Sequence, residues 1–202
     1  MDVGMGVGTY GFLCAAAFDP GRLVQGGHRR DAIRIDAIEG FPEYIGDVQR
    51  AIYDTIYLDD LRSLLPTIKP KTYDLLLLID VLEHVEPEQV RAVLASCRGA
   101  ARSLIVSTPL GFAHQHDLDN NAFQVHRSHP QKRELQDGGL DLLIPDDSSL
   151  IMFGSDDKNF VRYYRTRLRR AAIRSALPQV VRRNAGHLRT IGRSRASHLQ
   201  HD

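Results

Sequence analysis

Three glycines at alternate positions near the start of the chain constrain its fold most strongly. They stand in the stretch from Asp2 to Gly11, which has the sequence DVGMGVGTYG and precedes an apolar run over residues 12–18. Glycines at this spacing before a helix predict a tight strand-to-helix turn whose backbone approaches a ligand closely. A carboxylate at Asp2 would repel a pyrophosphate and attract a cation. The stretch therefore indicates a nucleoside-like ligand that carries positive charge.

Strand and helix signals alternate from residue 1 to about residue 111, which predicts a doubly wound, mostly parallel α/β sheet. A helix over residues 10–18 follows the glycine turn, and another begins at Pro87 and ends near Gly99. The later strands are predicted over residues 32–39, 53–58, 73–80 and 104–109, with a terminal antiparallel pair over 140–144 and 150–153.

The first strand of such a sheet is very short in this chain. Only Met1, Asp2 and Val3 precede Gly4, whereas a fold of this type has a buried apolar strand before the glycine turn. We therefore expect either a truncated start, or loss of this strand with weaker ligand binding.

The composition is that of a globular protein. The 202 residues are 43% hydrophobic and 25% charged, which suits one domain with a terminal extension. No apolar run is long enough to span a bilayer, and the amino terminus lacks a secretory signal pattern, so we expect a cytoplasmic protein. Cys14 and Cys97 fall in predicted helices and are expected to be reduced, buried thiols.

Charge divides the chain into two parts. Residues 1–157 carry 24 acidic residues and 14 Lys or Arg, whereas residues 158–202 carry one acidic residue and 12 Lys or Arg. Aromatic and aliphatic residues recur at helical spacing from Phe160 among six arginines before Pro178, which predicts a basic amphipathic helix. We expect a ligand-binding domain over 1–157 and a basic helical tail over 158–202, which could contact nucleic acid, an anionic membrane or another protein surface.

Several stretches resemble the motifs of class I S-adenosylmethionine-dependent methyltransferases. DxGxGxG from Asp2 resembles their first motif, and YDLLLLIDVLEH from Tyr73 resembles their fourth motif and the turn after it. TPLG from Thr108 and HRS from His126 resemble a bacterial branch that acts on small or carbohydrate-like substrates. The resemblance implies a Rossmann-like methyltransferase fold, S-adenosylmethionine as the cofactor and a small-molecule methyl acceptor.

Acidic residues at strand ends are candidate cofactor contacts. Glu39 ends the second strand, where a carboxylate can accept hydrogen bonds from both ribose hydroxyls; a solvated glutamate at a helix start is the alternative. The resemblance assigns Asp60, in preference to Asp59, to the adenine amino group. The predicted cofactor-binding residues are Asp2, Gly4, Gly6, Gly8, Glu39, Asp60 and Asp80.

Methyl transfer from a sulfonium is an in-line displacement, so the protein mainly positions the acceptor. The predicted catalytic residues are Asp80, His84 and His126. Asp80 would face the cofactor and the acceptor, or it would cap the following turn. His84 could take a proton from a hydroxyl acceptor, or it could pack at the start of a helix.

A polar segment over residues 114–129 is expected to cover the edge of the site. It contains His114, His116, Asp117, Asp119, His126 and His129. Their irregular spacing is not that of a metal site, so we expect no bound metal and a lid in which Asn121, His126 and Arg127 face the acceptor.

Two other classes of function remain open. Gly6, Gly8 and Gly11 also satisfy the dinucleotide pattern GxGxxG, and with Glu39 they would suit an NAD-dependent oxidoreductase. However, Glu39 follows Gly8 by 31 positions, where the fingerprint places its acidic residue about 20 positions on. The basic tail would suit a non-catalytic protein that binds nucleic acid or another partner.

Overall fold

A computed structural model describes residues 1–24, 33–111 and 121–176 of the chain. These residues form one seven-stranded sheet with helices on its faces. The strands are β1 (Asp2–Val3), β2 (Asp36–Glu39), β3 (Thr55–Leu58), β4 (Tyr73–Ile79), β5 (Ala101–Pro109), β6 (Leu142–Ile144) and β7 (Ser149–Ser155). The helices are α1 (Thr9–Phe18), α2 (Asp47–Ile52), α3 (Leu61–Leu64), α4 (Pro87–Ala100), α5 (Lys132–Asp137) and α6 (Lys158–Ala176).

The spatial order of the strands is β3-β2-β1-β4-β5-β7-β6. The first five strands in the chain are parallel, whereas β7 runs antiparallel to β5 and to β6. The strand order reverses between β1 and β4, which is where open sheets of this type bind ligands. The predicted doubly wound, mostly parallel α/β fold is therefore confirmed.

The central strand β1 has only two residues, yet it pairs with both of its neighbours. Asp2 and Val3 lie opposite Ala37 and Ile38 on β2 and opposite Leu77 and Leu78 on β4. The amino group of Met1 donates to the Leu75 carbonyl at 2.9 Å, and the Leu77 amide donates to the Met1 carbonyl at 2.9 Å. The three residues before Gly4 therefore occupy the middle of the sheet.

Four predicted strands are shorter in the structure than in the sequence pattern: β4 ends at Ile79 instead of residue 80, β6 begins at Leu142 instead of residue 140, and β2 and β3 also begin later. β2 begins at Asp36 and β3 at Thr55, instead of residues 32 and 53. The reason is a side-chain contact: the Ile35 amide donates to the Asp54 carboxylate at 2.8 Å, and the Asp54 amide donates to the Ile35 carbonyl at 2.7 Å. These bonds satisfy the backbone without a strand ladder.

The core is divided between the two faces of the sheet. Ala37 and Ile38 are consecutive on β2, and their side chains point to opposite faces. Ile38 belongs to a large apolar cluster that includes α4, whereas Ala37 belongs to a smaller cluster that includes Ala15 of α1 and Tyr53. Both faces are thus covered, which explains the continuous apolar run of β4.

The contacts separate the chain into two compact units, Met1–Lys158 and Asn159–Asp202. Of the second unit the structure describes the residues up to Ala176. They lie in α6, where the amphipathic pattern predicts a helix. Within this helix the Phe160 and Tyr164 rings lie 4.5 Å apart, and the guanidinium of Arg167 lies 5.6 Å from the centre of the Tyr163 ring. The domain boundary between residues 157 and 158 stays a prediction. Across the described residues, no helix combines the length and the apolar character that crossing a membrane requires.

Candidate active site

A cavity of about 410 Å³ lies at the carboxyl ends of four neighbouring strands. This volume is typical of a small-molecule site, for which about 300–1,000 Å³ is usual. The sheet order places the residues after β3, β2, β1 and β4 in one row along the cavity. Six of the predicted site residues line it: Gly4, Gly6, Glu39, Asp60, Asp80 and His84.

The glycine turn has a backbone that only glycine adopts readily. Gly4, Gly6 and Gly8 have φ angles of 69°, 51° and 88°, in the left-handed region that L side chains avoid. A Cβ on Gly4 would lie 2.6 Å from a methyl group of Val81, whereas a Cβ on Gly6 would meet nothing within 4 Å. Gly4 therefore permits close packing, and Gly6 leaves open space beside the cavity. Gly8 caps α1 and is outside the set of residues that line the cavity.

Glu39 joins the end of β2 to the glycine turn. Its side chain is 6% exposed and accepts hydrogen bonds from the Gly6 amide at 2.9 Å and the Phe41 amide at 2.8 Å. Burial raises the pKa of the Glu39 carboxyl above its usual value, and the two backbone donors oppose this rise. The carboxylate is thus held in one orientation at the cavity wall.

The structure places Asp2 differently from the prediction. Its side chain is 3% exposed, accepts a hydrogen bond from the Tyr53 hydroxyl at 2.5 Å and is outside the set that lines the cavity. Side chains alternate along a strand, and Val3 of β1 belongs to the larger apolar cluster of the opposite face. The carboxylate of Asp2 therefore faces the α1 side of the sheet, where Tyr53 lies.

We expect Tyr53→Phe to lower the free energy of unfolding by about 1.5 kcal/mol at pH 8 and by less at pH 4. Burial raises the pKa of Asp2, and the Tyr53 hydrogen bond opposes this rise. Without the hydroxyl, the pKa rises further. The folded state then holds the proton to a higher pH than the unfolded state, so stability falls as the pH rises above about 4.

Urea denaturation of the Tyr53→Phe variant and the parent chain at pH 4, 6 and 8 measures this effect. Tyr57→Phe is a matched control, because the structure records no hydrogen bond between the Tyr57 hydroxyl and a buried carboxylate among the described residues. An equal loss of stability for Tyr53→Phe at all three pH values would contradict the role assigned to Asp2.

Asp60 lies at the start of α3. Its carboxylate accepts a hydrogen bond from the Arg62 amide at 2.8 Å and forms an ion pair with the Arg62 guanidinium. The hydrogen bonds from the Arg62 side chain hold the pKa of Asp60 below its usual value. Asp59, which also lines the cavity, accepts a hydrogen bond from the Asp60 amide at 2.7 Å.

Asp80 directly follows β4 with a φ of 53°, a conformation that aspartate tolerates better than most residues. Its amide donates to the Ser107 carbonyl at 2.9 Å, and the Ser107 hydroxyl donates to its carboxylate at 3.0 Å. These bonds to β5 hold the carboxylate at the cavity surface.

His84 ends a short 3₁₀ turn, Leu82–His84, after β4. Its Nδ1 lies 3.1 Å from the Val125 carbonyl oxygen. A carbonyl only accepts hydrogen bonds, so Nδ1 must carry a proton to bond to it. In the neutral ring Nε2 therefore carries the lone pair. Burial lowers the pKa of His84, which favours this neutral form. The ring centre of His126 lies 5.0 Å from that of His84, although His126 is outside the set of residues that line the cavity.

Glu83 is a buried acid that the sequence analysis did not assign to the site. It is 4% exposed, and the Thr108 hydroxyl donates to its carboxylate at 3.3 Å. Burial raises the pKa of Glu83 to about 7, and the negative charge of Asp80 adds to the rise. Its place in the LEH sequence after β4 was the only signal for it.

The segment from Asn121 to Ser128 lies along the cavity, and four of its residues, Asn121, Phe123, Gln124 and Arg127, line it. Gln124 donates to the Tyr44 hydroxyl at 3.1 Å. A Cβ on Gly40 would lie 2.9 Å from the Phe123 ring, so Gly40 permits this ring to approach β2 closely. His114, His116, Asp117 and Asp119 lie outside the described residues.

The sequence did not identify Tyr44, Arg62, Phe123 and Gln124 as cavity residues. Gly40, directly after Glu39, was the one local signal that a side chain packs closely against the end of β2. A glycine alone does not identify Phe123 as that side chain. Asn121 and Arg127 lie on the cavity wall, and both the lid interpretation and the contact with an acceptor stay predictions.

The sheet order and the cavity define a class of fold, a Rossmann-like α/β fold with a ligand cavity at the carboxyl ends of its parallel strands. Neither a family model nor the sequence of a curated protein matches this chain.

Solved structures with a similar fold include the bifunctional kinase-methyltransferase WbdD, with a TM-score of 0.54 at 15% identity over 77% of this chain and 34% of WbdD. The DhpI–SAH complex has a TM-score of 0.53 at 15% identity, over 75% of this chain and 73% of DhpI. The N-terminal domain of EvdMO1, solved in the presence of SAH and D-fucose, has a TM-score of 0.51 at 14% identity, over 76% of this chain and 74% of that domain.

Proposed function

We propose that this protein is an S-adenosylmethionine-dependent methyltransferase that acts on a small-molecule acceptor. The support comes from the methyltransferase fold and from the cavity at the carboxyl ends of β1 to β4. It also comes from the polar groups that this cavity brings together.

The contact between Glu39 and the Gly6 amide carries the proposal. In a dinucleotide enzyme, the amides of the glycine turn are available to a pyrophosphate. In this chain the Gly6 amide donates to a carboxylate at 2.9 Å, which places negative charge against the turn. A pyrophosphate would be repelled there, whereas a ligand with hydroxyl groups and positive charge would be favoured.

The residues of the row fit an adenosyl cofactor. Glu39 and Asp60 place carboxylates on the cavity wall, where they would accept hydrogen bonds from hydroxyl and amino groups of the cofactor, and the space beside Gly6 is open. Tyr44 and Phe123 add aromatic surface to the same wall. When bound, S-adenosylmethionine would supply a methyl group already activated by its sulfonium, so the protein has to bind, orient and exclude water.

The acceptor would lie at the β4 end of the row, beside Asp80 and His84. Arg127 donates to Glu86 at 2.9 Å, and both side chains line this end of the cavity. These groups can bond to the hydroxyls of a carbohydrate-like acceptor. The EvdMO1 domain, which was solved with D-fucose, makes a sugar a reasonable first acceptor to test. Nucleic-acid or membrane binding by the basic tail stays a separate prediction.

Isothermal titration with S-adenosylhomocysteine and with NAD tests the proposal. We expect micromolar binding of S-adenosylhomocysteine, roughly −8 kcal/mol, and at least 100-fold weaker binding of NAD. Binding of NAD in preference to the thioether would overturn the proposal in favour of the oxidoreductase.

A further inference from the structure

Glu83, His84 and His126 form a cluster beside the cavity. Each residue offers one ligand atom, and these three atoms lie within 4.8 Å of one another. Two of the residues are consecutive after β4, and the third comes from the segment that lies along the cavity. The candidate site therefore depends on the contact between these two segments.

Backbone hydrogen bonds fix the two segments together. The amides of Arg127 and Ser128 donate to the Glu83 carbonyl at 2.6 and 3.0 Å, and the Ser128 hydroxyl donates to the Leu82 carbonyl at 2.8 Å. His126 directly precedes these anchors. The cluster is thus built into the fold and does not depend on flexible side chains meeting by chance.

The chemistry of the set is that of a transition-metal site. Two imidazoles and one carboxylate form the ligand set of several zinc enzymes and of non-haem iron sites. His84 directs Nδ1 to the Val125 carbonyl, and a metal-binding histidine typically uses its second nitrogen in this way. The Thr108 hydroxyl similarly orients the Glu83 carboxylate.

Burial of Glu83 supplies an independent reason. Glu83 is 4% exposed, and its carboxylate accepts a hydrogen bond from the Thr108 hydroxyl at 3.3 Å. Buried carboxylates in proteins are usually paired, protonated or bound to a metal. Asp80 lies close enough to add further negative charge, which favours a cation.

We propose that Glu83, His84 and His126 bind a divalent transition-metal ion of the Zn²⁺ class beside the acceptor end of the cavity, whose wall His84 lines. Bonds of about 2.1 Å require ligand atoms roughly 3–4 Å apart, so the three side chains, whose ligand atoms now lie within 4.8 Å of one another, would have to close slightly around the ion. If the proposed function holds, Glu83, His84 and His126 would hold the ion, and the ion would supply Lewis-acid polarisation of an acceptor hydroxyl.

The test uses the untagged chain, stripped with a chelator and titrated with Zn²⁺ and separately with Mg²⁺. We expect one Zn²⁺ per chain, at least 100-fold weaker Mg²⁺ binding, and a visible spectrum of a nitrogen-ligated ion when Co²⁺ replaces Zn²⁺. Glu83→Gln and His126→Asn should each weaken Zn²⁺ binding at least tenfold. His129→Asn is the matched control, because His129 directly follows this segment but lines a different cavity.

Absence of stoichiometric Zn²⁺ binding, or an equal loss in the His129→Asn variant, would overturn the proposed metal site. Circular dichroism and S-adenosylhomocysteine binding of each variant show whether it has folded. Because the thioether is titrated without metal, its binding reports on the proposed function separately. Thioether binding without Zn²⁺ binding would reject only the metal, and the reverse result would reject only the methyltransferase.

Discussion

Replacing Gly11 with alanine is expected to destabilise the protein by about 3 kcal/mol, although Gly11 lies in helix α1. Alanine in a helix interior is ordinarily favoured over glycine by about 1 kcal/mol. At this position, however, a Cβ would lie 2.3 Å from two atoms of the Tyr53 side chain, including its hydroxyl. The steric conflict outweighs the helical preference because Tyr53 has little freedom to move.

Tyr53 is restrained from two directions. It is 5% exposed, and its hydroxyl donates to the buried Asp2 carboxylate. A shift of the ring costs about 1–3 kcal/mol in packing, and loss of the hydrogen bond leaves a buried carboxylate without this donor at about 1–3 kcal/mol. Gly11 therefore serves close packing of α1 in this chain, a role that a dinucleotide fold also gives its third glycine.

Gly99→Ala is the matched control in a second helix. A Cβ on Gly99 of α4 would meet nothing within 4 Å, so we expect a stabilisation of up to about 1 kcal/mol. Urea denaturation of both variants gives the two changes with opposite signs. A Gly11→Ala variant as stable as the parent would show that Tyr53 can relocate and that the Asp2 contact contributes little.

Replacing Glu39 with alanine is expected to weaken S-adenosylhomocysteine binding about 100-fold, which corresponds to about 2.7 kcal/mol. The carboxylate accepts hydrogen bonds from Gly6 and Phe41, and under the proposed function it also accepts from the ribose. Hydrogen bonds to charged groups contribute about 1.5–3 kcal/mol each. Alanine removes the ribose acceptor and also releases the glycine turn.

Two further variants separate these contributions. Glu39→Gln keeps one acceptor oxygen and a similar shape, so we expect roughly a tenfold loss of affinity. Glu43→Ala removes an exposed carboxylate outside the set that lines the cavity and should leave the affinity within a factor of two. Isothermal titration measures all three, with circular dichroism as a check of folding. Wild-type affinity in Glu39→Ala would exclude this residue from the cofactor site.

Local sequence patterns predicted the elements of the fold well. The apolar run from Tyr73 to Ile79 is β4, and the glycine turn leads into α1 one residue before the predicted start. The antiparallel end of the sheet also lies where alternating residues predict it. Each of these features depends on residues close together in the chain, so the pattern of side chains carries the information.

The positions of individual site residues were predicted only in part. Gly4, Gly6, Glu39, Asp60, Asp80 and His84 line one cavity, because parallel strands bring their carboxyl ends to the same edge. Asp2 was expected to line the same cavity, yet its side chain lies on the face of the sheet that holds Tyr53. Successive side chains of a strand point to opposite faces of the sheet, so a shift of one residue decides this orientation. The first strand is too short for its sequence to show which residues point to which face.

The sequence by itself determined the order of strands and helices, the glycine turn and the row of acidic groups at strand ends. Hydrophobic periodicity and backbone preference are local properties of the sequence. The right-handed crossover between parallel strands then limits how the strands and helices can be arranged. Only the tertiary structure decided that Glu39 bonds to Gly6, that Tyr53 bonds to Asp2 and that His126 lies beside Glu83 and His84. Those contacts join segments far apart in the chain, and their partners are selected by packing that no short sequence pattern encodes.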